Sequence, residues 1–268
     1  MGSYGSELIM TSEAKPNTEE ETFLPLQSMR ELKGSDTTAV PLLTEKQEFR
    51  LMKTMLQKYH AELDRYNQLV DLNPESKEAY NNRGIFKART GNYKDAITDF
   101  SLALSLNDQS SRVFNNRGIC FEKLGEFDNA LSDYNTAISL REHFPEAYNN
   151  RGNLQSQLGH LIDAENDLTK AIAQNDNYPE AYFNRGNLRK DKLNQPKLAI
   201  EDYTKAIDCY PQYAAAYNNR GSVYGGQGKT EKAQADFKQA VQLNPTVKAY
   251  QGNLEKMEAQ LSQVEVLS

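Results

Sequence analysis

The tripeptide Asn-Arg-Gly occurs five times, with its glycines at Gly84, Gly118, Gly152, Gly186 and Gly221, spaced 34, 34, 34 and 35 residues apart. A fixed period of this size marks an array of small supersecondary units, none of which buries its apolar stripe alone. With the glycines numbered position 8 of the repeat, position 4 is aromatic: Tyr80, Phe114, Tyr148, Tyr182 and Tyr217. Position 20 is alanine (Ala96, Ala130, Ala164, Ala199, Ala233), and so is position 27 (Ala103, Ala137, Ala171, Ala206, Ala240). Between them, position 24 is large: Phe100, Tyr134, Leu168, Tyr203 and Phe237. Small residues at 8, 20 and 27 let two helix backbones approach closely, while the large ones at 4 and 24 fill the gaps left.

This pattern, over residues 77 to 247, resembles the tetratricopeptide-repeat (TPR) family. The resemblance implies an all-α fold, a right-handed solenoid of antiparallel helix pairs A and B, with repeats at 77–110, 111–144, 145–178, 179–213 and 214–247. Gly91, Gly125, Gly159 and Gly228 fall in the A–B turns, where a left-handed residue ends a helix. Repeat 4 has Leu193-Asn194-Gln195-Pro196 instead, an insertion that accounts for the spacing of 35, with Pro196 suited to a first helical turn. Residues 43–76 read as a degenerate N-terminal capping repeat, with Arg50 in the glycine's place. Residues 248–268 read as a C-terminal capping helix and tail, and 1–42, which lack periodicity, as a disordered acidic tail.

Two rows are not required by the packing code. Position 7 is arginine throughout (Arg83, Arg117, Arg151, Arg185, Arg220) and position 23 is aspartate throughout (Asp99, Asp133, Asp167, Asp202, Asp236). At about 100° per residue both rows flank their helices' packed stripes, which predicts a ladder of structural Arg–Asp pairs between helices.

Position 6 is asparagine in every repeat: Asn82, Asn116, Asn150, Asn184 and Asn219. Asparagine is a poor helix-interior residue, and its angle here lies opposite the packed stripe of helix A. In TPR proteins helix A lines the concave wall, and this row is similar to the asparagine ladder in the TPR superhelix of O-linked N-acetylglucosamine transferase. The similarity implies a grip on an extended peptide, whose N–H and C=O groups a side-chain amide matches. Asparagines at position 5 (Asn81, Asn115, Asn149, Asn218) and position 9 (Asn153, Asn187) enrich the same wall, and Ile85, Ile119 and Phe183 are candidates for apolar contacts to the peptide. The structural alternative is that the amides bond to neighbouring helices. Position 2 reads Glu78, Arg112, Glu146, Glu180 and Ala215, without the basic cluster that TPR domains use to clamp a chaperone's carboxylate tail.

The remaining signals exclude more than they add. A net charge of −6 and a pI near 5.3 argue against a nucleic-acid partner, and residues 1–42 carry −4 of that charge. A mean hydropathy of −0.77, without a long apolar run, predicts no transmembrane segment. Two cysteines, Cys120 and Cys209, make neither a disulfide framework nor a zinc motif, and His60, His143 and His160 are scattered. No catalytic constellation or cofactor motif is present, and Gly225-Gly226-Gln227-Gly228 reads as a loose turn. The start, Met1-Gly2-Ser3-Tyr4-Gly5-Ser6, fits a myristoylation pattern at Gly2, which without a basic patch implies at most weak membrane tethering. The sequence therefore predicts a non-enzymatic adaptor or scaffold, cytoplasmic unless acylated or organellar, that binds an extended segment of a protein partner. The alternative is a structural component or assembly factor of a larger complex.

Overall fold

The computed structural model describes residues 45–107 and 109–267; the acidic tail with Gly2 lies outside the described residues. These residues form twelve helices, and the chain divides after Glu142 into two compact units. The first unit holds α1 (Glu45–Leu72), α2 (Lys77–Arg89), α3 (Tyr93–Leu106), α4 (Ser111–Lys123) and α5 (Phe127–Leu140). The second holds α6 (Pro145–Leu158), α7 (Leu161–Gln174), α8 (Pro179–Asp191), α9 (Pro196–Cys209), α10 (Ala214–Gly226), α11 (Thr230–Leu243) and α12 (Lys248–Leu267).

In each unit sequential helices pack as A–B pairs, each helix B packs on the following helix A, and successive A helices touch: α2 with α4, α6 with α8, α8 with α10 and α10 with α12. These are the contacts of an all-α TPR solenoid, in which the core runs between neighbouring pairs.

The close approach within each pair comes from the position-8 glycine, whose missing Cβ is replaced by the position-24 side chain of helix B. A Cβ on Gly84, Gly118 or Gly186 would lie 2.8 Å from the ring of Phe100, Tyr134 or Tyr203. The position-20 alanines and all five large residues at position 24 are buried. Phe100, Ala96, Ala103, Ile85 and Cys120 share one cluster of the first unit; Phe183, Tyr203, Ala199 and Val223 share one of the second. The A–B turns are closed by left-handed residues, Gly91 at φ 82° among them, and in repeat 4 by Asn194 at φ 51°, the one non-glycine in that region among the described residues.

The structure differs from the sequence expectation in three places. Residues 45–72 form one continuous helix rather than a helix pair, because Gln57 stands where Gly91 stands one repeat later and nothing breaks the helix. Only the C-terminal half of α1 is packed on α2: Tyr59 and Tyr66 lie on Phe86 with ring centroids 5.4 and 5.3 Å apart and Val70 is buried, whereas Phe49, Met52 and Leu56 are exposed. The glycine run of repeat 5 is not a loose turn. α10 continues through Gly226, and a Cβ on Gly225 would stand 2.9 Å from Met257 of α12, so this glycine admits the last helix. Finally, Ile85, Ile119 and Phe183 are 4%, 2% and 0% exposed and belong to the core, which removes them as ligand contacts. Helix A packs on its own helix B and on the preceding one, so its buried arc is wider than a single stripe.

Candidate functional site

The arginine and aspartate rows meet inside each repeat. Arg83 donates to Asp99 through Nε (3.0 Å) and Nη2 (2.7 Å), and the same fork joins Arg117 to Asp133, Arg151 to Asp167, Arg185 to Asp202 and Arg220 to Asp236. The aspartates are 1–6% exposed. Each guanidinium lies 5.5–5.9 Å from the centre of the position-4 ring three residues before it, which shields the pair. The hydrogen bonds that Arg83 and Arg220 donate to Asp99 and Asp236 raise their pKa above the ordinary arginine value, whereas burial lifts the Asp133 carboxyl above its usual range despite Arg117.

A further partner escaped the sequence reading. The remaining nitrogen, Nη1, reaches back to helix B of the preceding repeat: Arg83 to Asn67 Oδ1, Arg117 to Ser101 Oγ, Arg185 to Thr169 Oγ1 and Arg220 to Thr204 Oγ1, at 3.0–3.1 Å. Each of these arginines thus holds three helices in register. The available signal was a short polar side chain recurring at position 25. In repeat 4 Arg189 adds a second guanidinium to Asp202 (2.9 Å) and also bonds Glu165.

The asparagines form a different network, running along the A helices. Asn184 Nδ2 donates to Asn149 Oδ1 on the preceding helix A (2.9 Å), and Asn253 on α12 repeats the contact with Asn218 (2.9 Å). Asn219 donates to Asn187 Oδ1 (2.8 Å), which also accepts from the Tyr203 hydroxyl (2.8 Å). Within a repeat, Asn218 donates to Asn219 at 3.2 Å and Asn81 to Asn82 at 3.4 Å. Asn115, Asn116, Asn149 and Asn150 are 0–3% exposed, while Asn82, Asn153, Asn184, Asn187, Asn218 and Asn219 are half-buried. The row is therefore not a uniform exposed wall: it holds successive A helices together and leaves only some amide atoms to solvent.

In the first unit a cleft of about 260 Å³ opens among the starts of α2 and α4, the end of α3 and the α3–α4 loop. Asn81 is one of its lining residues, and the Asn81 Oδ1, itself buried, has no hydrogen-bond partner among the described residues. Among the described residues no group of three histidines, cysteines or carboxylates is placed to hold a metal, and no helix is long and apolar enough to cross a membrane.

Stacked helix pairs of this period define a class of interaction module, and the chain belongs to the tetratricopeptide-repeat family. Family models described as tetratricopeptide repeat match residues 57–111, 145–178, 179–213 and 214–247, and one described as TPR repeat matches 121–159. No curated protein matches the chain. Among solved structures, MamA is similar at 26% identity and a TM-score of 0.54 over 62% of this chain and 97% of its own. YrrB, described as a TPR protein with an unusual peptide-binding site, is similar at 18% identity and a TM-score of 0.52 over 70% of this chain and 96% of its own. The Cut9–Hcn1 hetero-tetramer of the APC/C is similar at 22% identity and a TM-score of 0.65, over 75% of this chain and 40% of that one. The family assigns a role in protein–protein interaction, as an adaptor or scaffold; the similarities below 25% identity concern the fold alone.

Proposed function

We propose that the chain is an adaptor whose A helices hold an extended segment of a partner protein through side-chain amides. The observation that carries this reading is the set of amide atoms left over by the asparagine network in the second unit. Asn153, the Asn184 Oδ1 and the Asn187 Nδ2 have no partner among the described residues, and all three side chains are half-buried. The network fixes the orientation of Asn184 and Asn187, which are preorganised as one acceptor and one donor, and Asn153 adds an amide with both. An extended backbone presents matching N–H and C=O groups, and a grip of this kind makes little demand on its sequence.

The test is partner capture by the purified chain and by a variant carrying Asn153→Ala, Asn184→Ala and Asn187→Ala, with affinity measured for a captured, cross-linked segment. Each lost hydrogen bond is worth about 1 kcal/mol, so the affinity should fall by roughly a hundredfold. Unchanged affinity in a well-folded variant refutes the amide grip. Asn116 and Asn150 are poor test positions, since both are almost fully buried and truncation there acts on the fold.

A further inference from the structure

In all five repeats helix B packs along its own helix A. The C-terminal half of α1, residues 59–72, stands in the helix B place of the degenerate repeat but has no helix A. Residues 45–58 run straight on from it, and among the described residues α1 packs on α2 alone. The side left open is apolar. Leu69 stands at position 27, where the alanines of the five repeats are at most 2% exposed, and is 41% exposed. With Phe49, Leu51, Met52, Leu56 and Leu72, α1 exposes more large apolar side chains than the other described helices together. A concentration of this kind on one helix marks an interaction surface.

The charges on α1 say what fits it. At about 100° per residue, Leu51, Met55, Lys58, Glu62 and Leu69 fall on one arc, beside the arc of Tyr59 and Tyr66 that meets Phe86 of α2. This arc is apolar toward both ends and charged in the middle. The helix as a whole is also divided: residues 45–58 hold four bases against two acids, and residues 59–72 hold three acids against one base. A second α1 laid antiparallel, with a twofold axis at residue 60, sets Lys58 opposite the partner's Glu62 and Leu51 opposite the partner's Leu69, each twice over. Laid parallel, the same helices would set lysine against lysine and glutamate against glutamate.

We infer that two copies of this chain pair through antiparallel α1 helices, residues 45–58 of each covering the side of residues 59–72 of the other that lacks a helix A. Gln57, which keeps α1 unbroken, is then the reason that the N-terminal half reaches a second chain instead of folding back on its own. The twofold keeps both α2 helices on the same side of the pair. Phe49, Met52 and Leu56, in line with the residues that meet α2, therefore border the α2 of the other copy.

Sedimentation velocity of the full chain over a dilution series reads the mass, with twice 30.4 kDa expected at high concentration. Lys58→Glu alone and Glu62→Lys alone should each raise the dimer Kd about tenfold, because two attractive pairs become repulsive. Both substitutions in one chain should restore the parental Kd, and mixing the two single variants should restore dimers as well. Leu69→Ser, at an exposed position of the single chain, should weaken the dimer without unfolding it. Oxidation of a mixture of Leu51→Cys and Leu69→Cys chains should join the two variants to each other rather than each to itself. A full chain that is monomeric throughout overturns the inference. So does a dimer indifferent to these charge and leucine variants, or one in which Leu51→Cys chains join only themselves. Cross-links within a monomer from α1 to residues 1–42 would overturn it in favour of that segment.

Discussion

Gly118→Ala tests the packing code directly. A Cβ there would lie 2.8 Å from Tyr134 Cε1, 3.0 Å from its Cδ1 and 3.3 Å from the Ala130 carbonyl oxygen. Carbon pairs rest at about 3.5 to 4.0 Å, so the ring must retreat by roughly 0.7 Å. It has nowhere to go: Tyr134 is 0% exposed and its hydroxyl donates to Glu122 Oε2 at 2.8 Å, while the carbonyl moves only with α5 itself. Overpacking of this kind costs about 3 kcal/mol at the upper end, and alanine returns about 1 kcal/mol of helix propensity, leaving a net loss near 2 kcal/mol. Gly226→Ala is the control, because nothing lies within 4 Å of its Cβ and it also ends a helix; it should be neutral or stabilising by up to about 1 kcal/mol. Urea unfolding followed by circular dichroism at 222 nm reads both. A Gly118→Ala protein as stable as the parent, alongside a well-behaved control, would refute the claim that position 8 is small because the position-24 ring fills its place.

Asp202→Ala removes the carboxylate shared by two guanidiniums, Arg185 and Arg189, of which Arg189 keeps Glu165, where Asp236→Ala removes that of Arg220 alone; thermal unfolding should place the first variant lower, with a loss of about 3 to 5 kcal/mol, and equal losses would contradict the shared-carboxylate geometry. Burial pushes the Cys120 thiol up to about 12, so the neutral thiol is favoured in the fold. Its contribution to stability is complete below the unfolded thiol's value near 8.5 and is lost as pH rises toward about 12. The difference in urea midpoint between the parent and Cys120→Ala should shift steadily over that window; a flat difference counts against a buried thiol. A disulfide reagent should label half-buried Cys209 in the native protein and Cys120 only after unfolding.

Much of the fold is legible because a 34-residue period imposes the same neighbours on the same positions five times over. The glycine at 8, the alanines at 20 and 27 and the bulk at 24 state a distance between two helices, and that distance is local to one repeat. Matching rows of Arg83-type and Asp99-type residues state a pairing for the same reason, since both sit in one helix pair. The single helix of residues 45–72 follows from Gln57 in place of a turn glycine, a signal present in the sequence but outweighed by the repeat pattern around it.

What lay beyond the sequence concerns contacts between one repeat and the next. Helical angles on an isolated helix A put position 6 opposite the packed stripe, yet the next helix A stands there, so Asn149 and Asn184 bond each other and Ile85 and Phe183 go into the core. The same inter-repeat geometry sends the third arginine nitrogen to Ser101 or Thr204. It also decides which amide atoms are left over, Asn81 Oδ1 above all. The repeating unit and the residues that close it can be read from the chain alone, because those interactions are local and periodic. Which amide atoms of the asparagine rows are left without a partner follows from the packing of one repeat on the next, because a hydrogen-bonding group is spent or spared by its neighbour there.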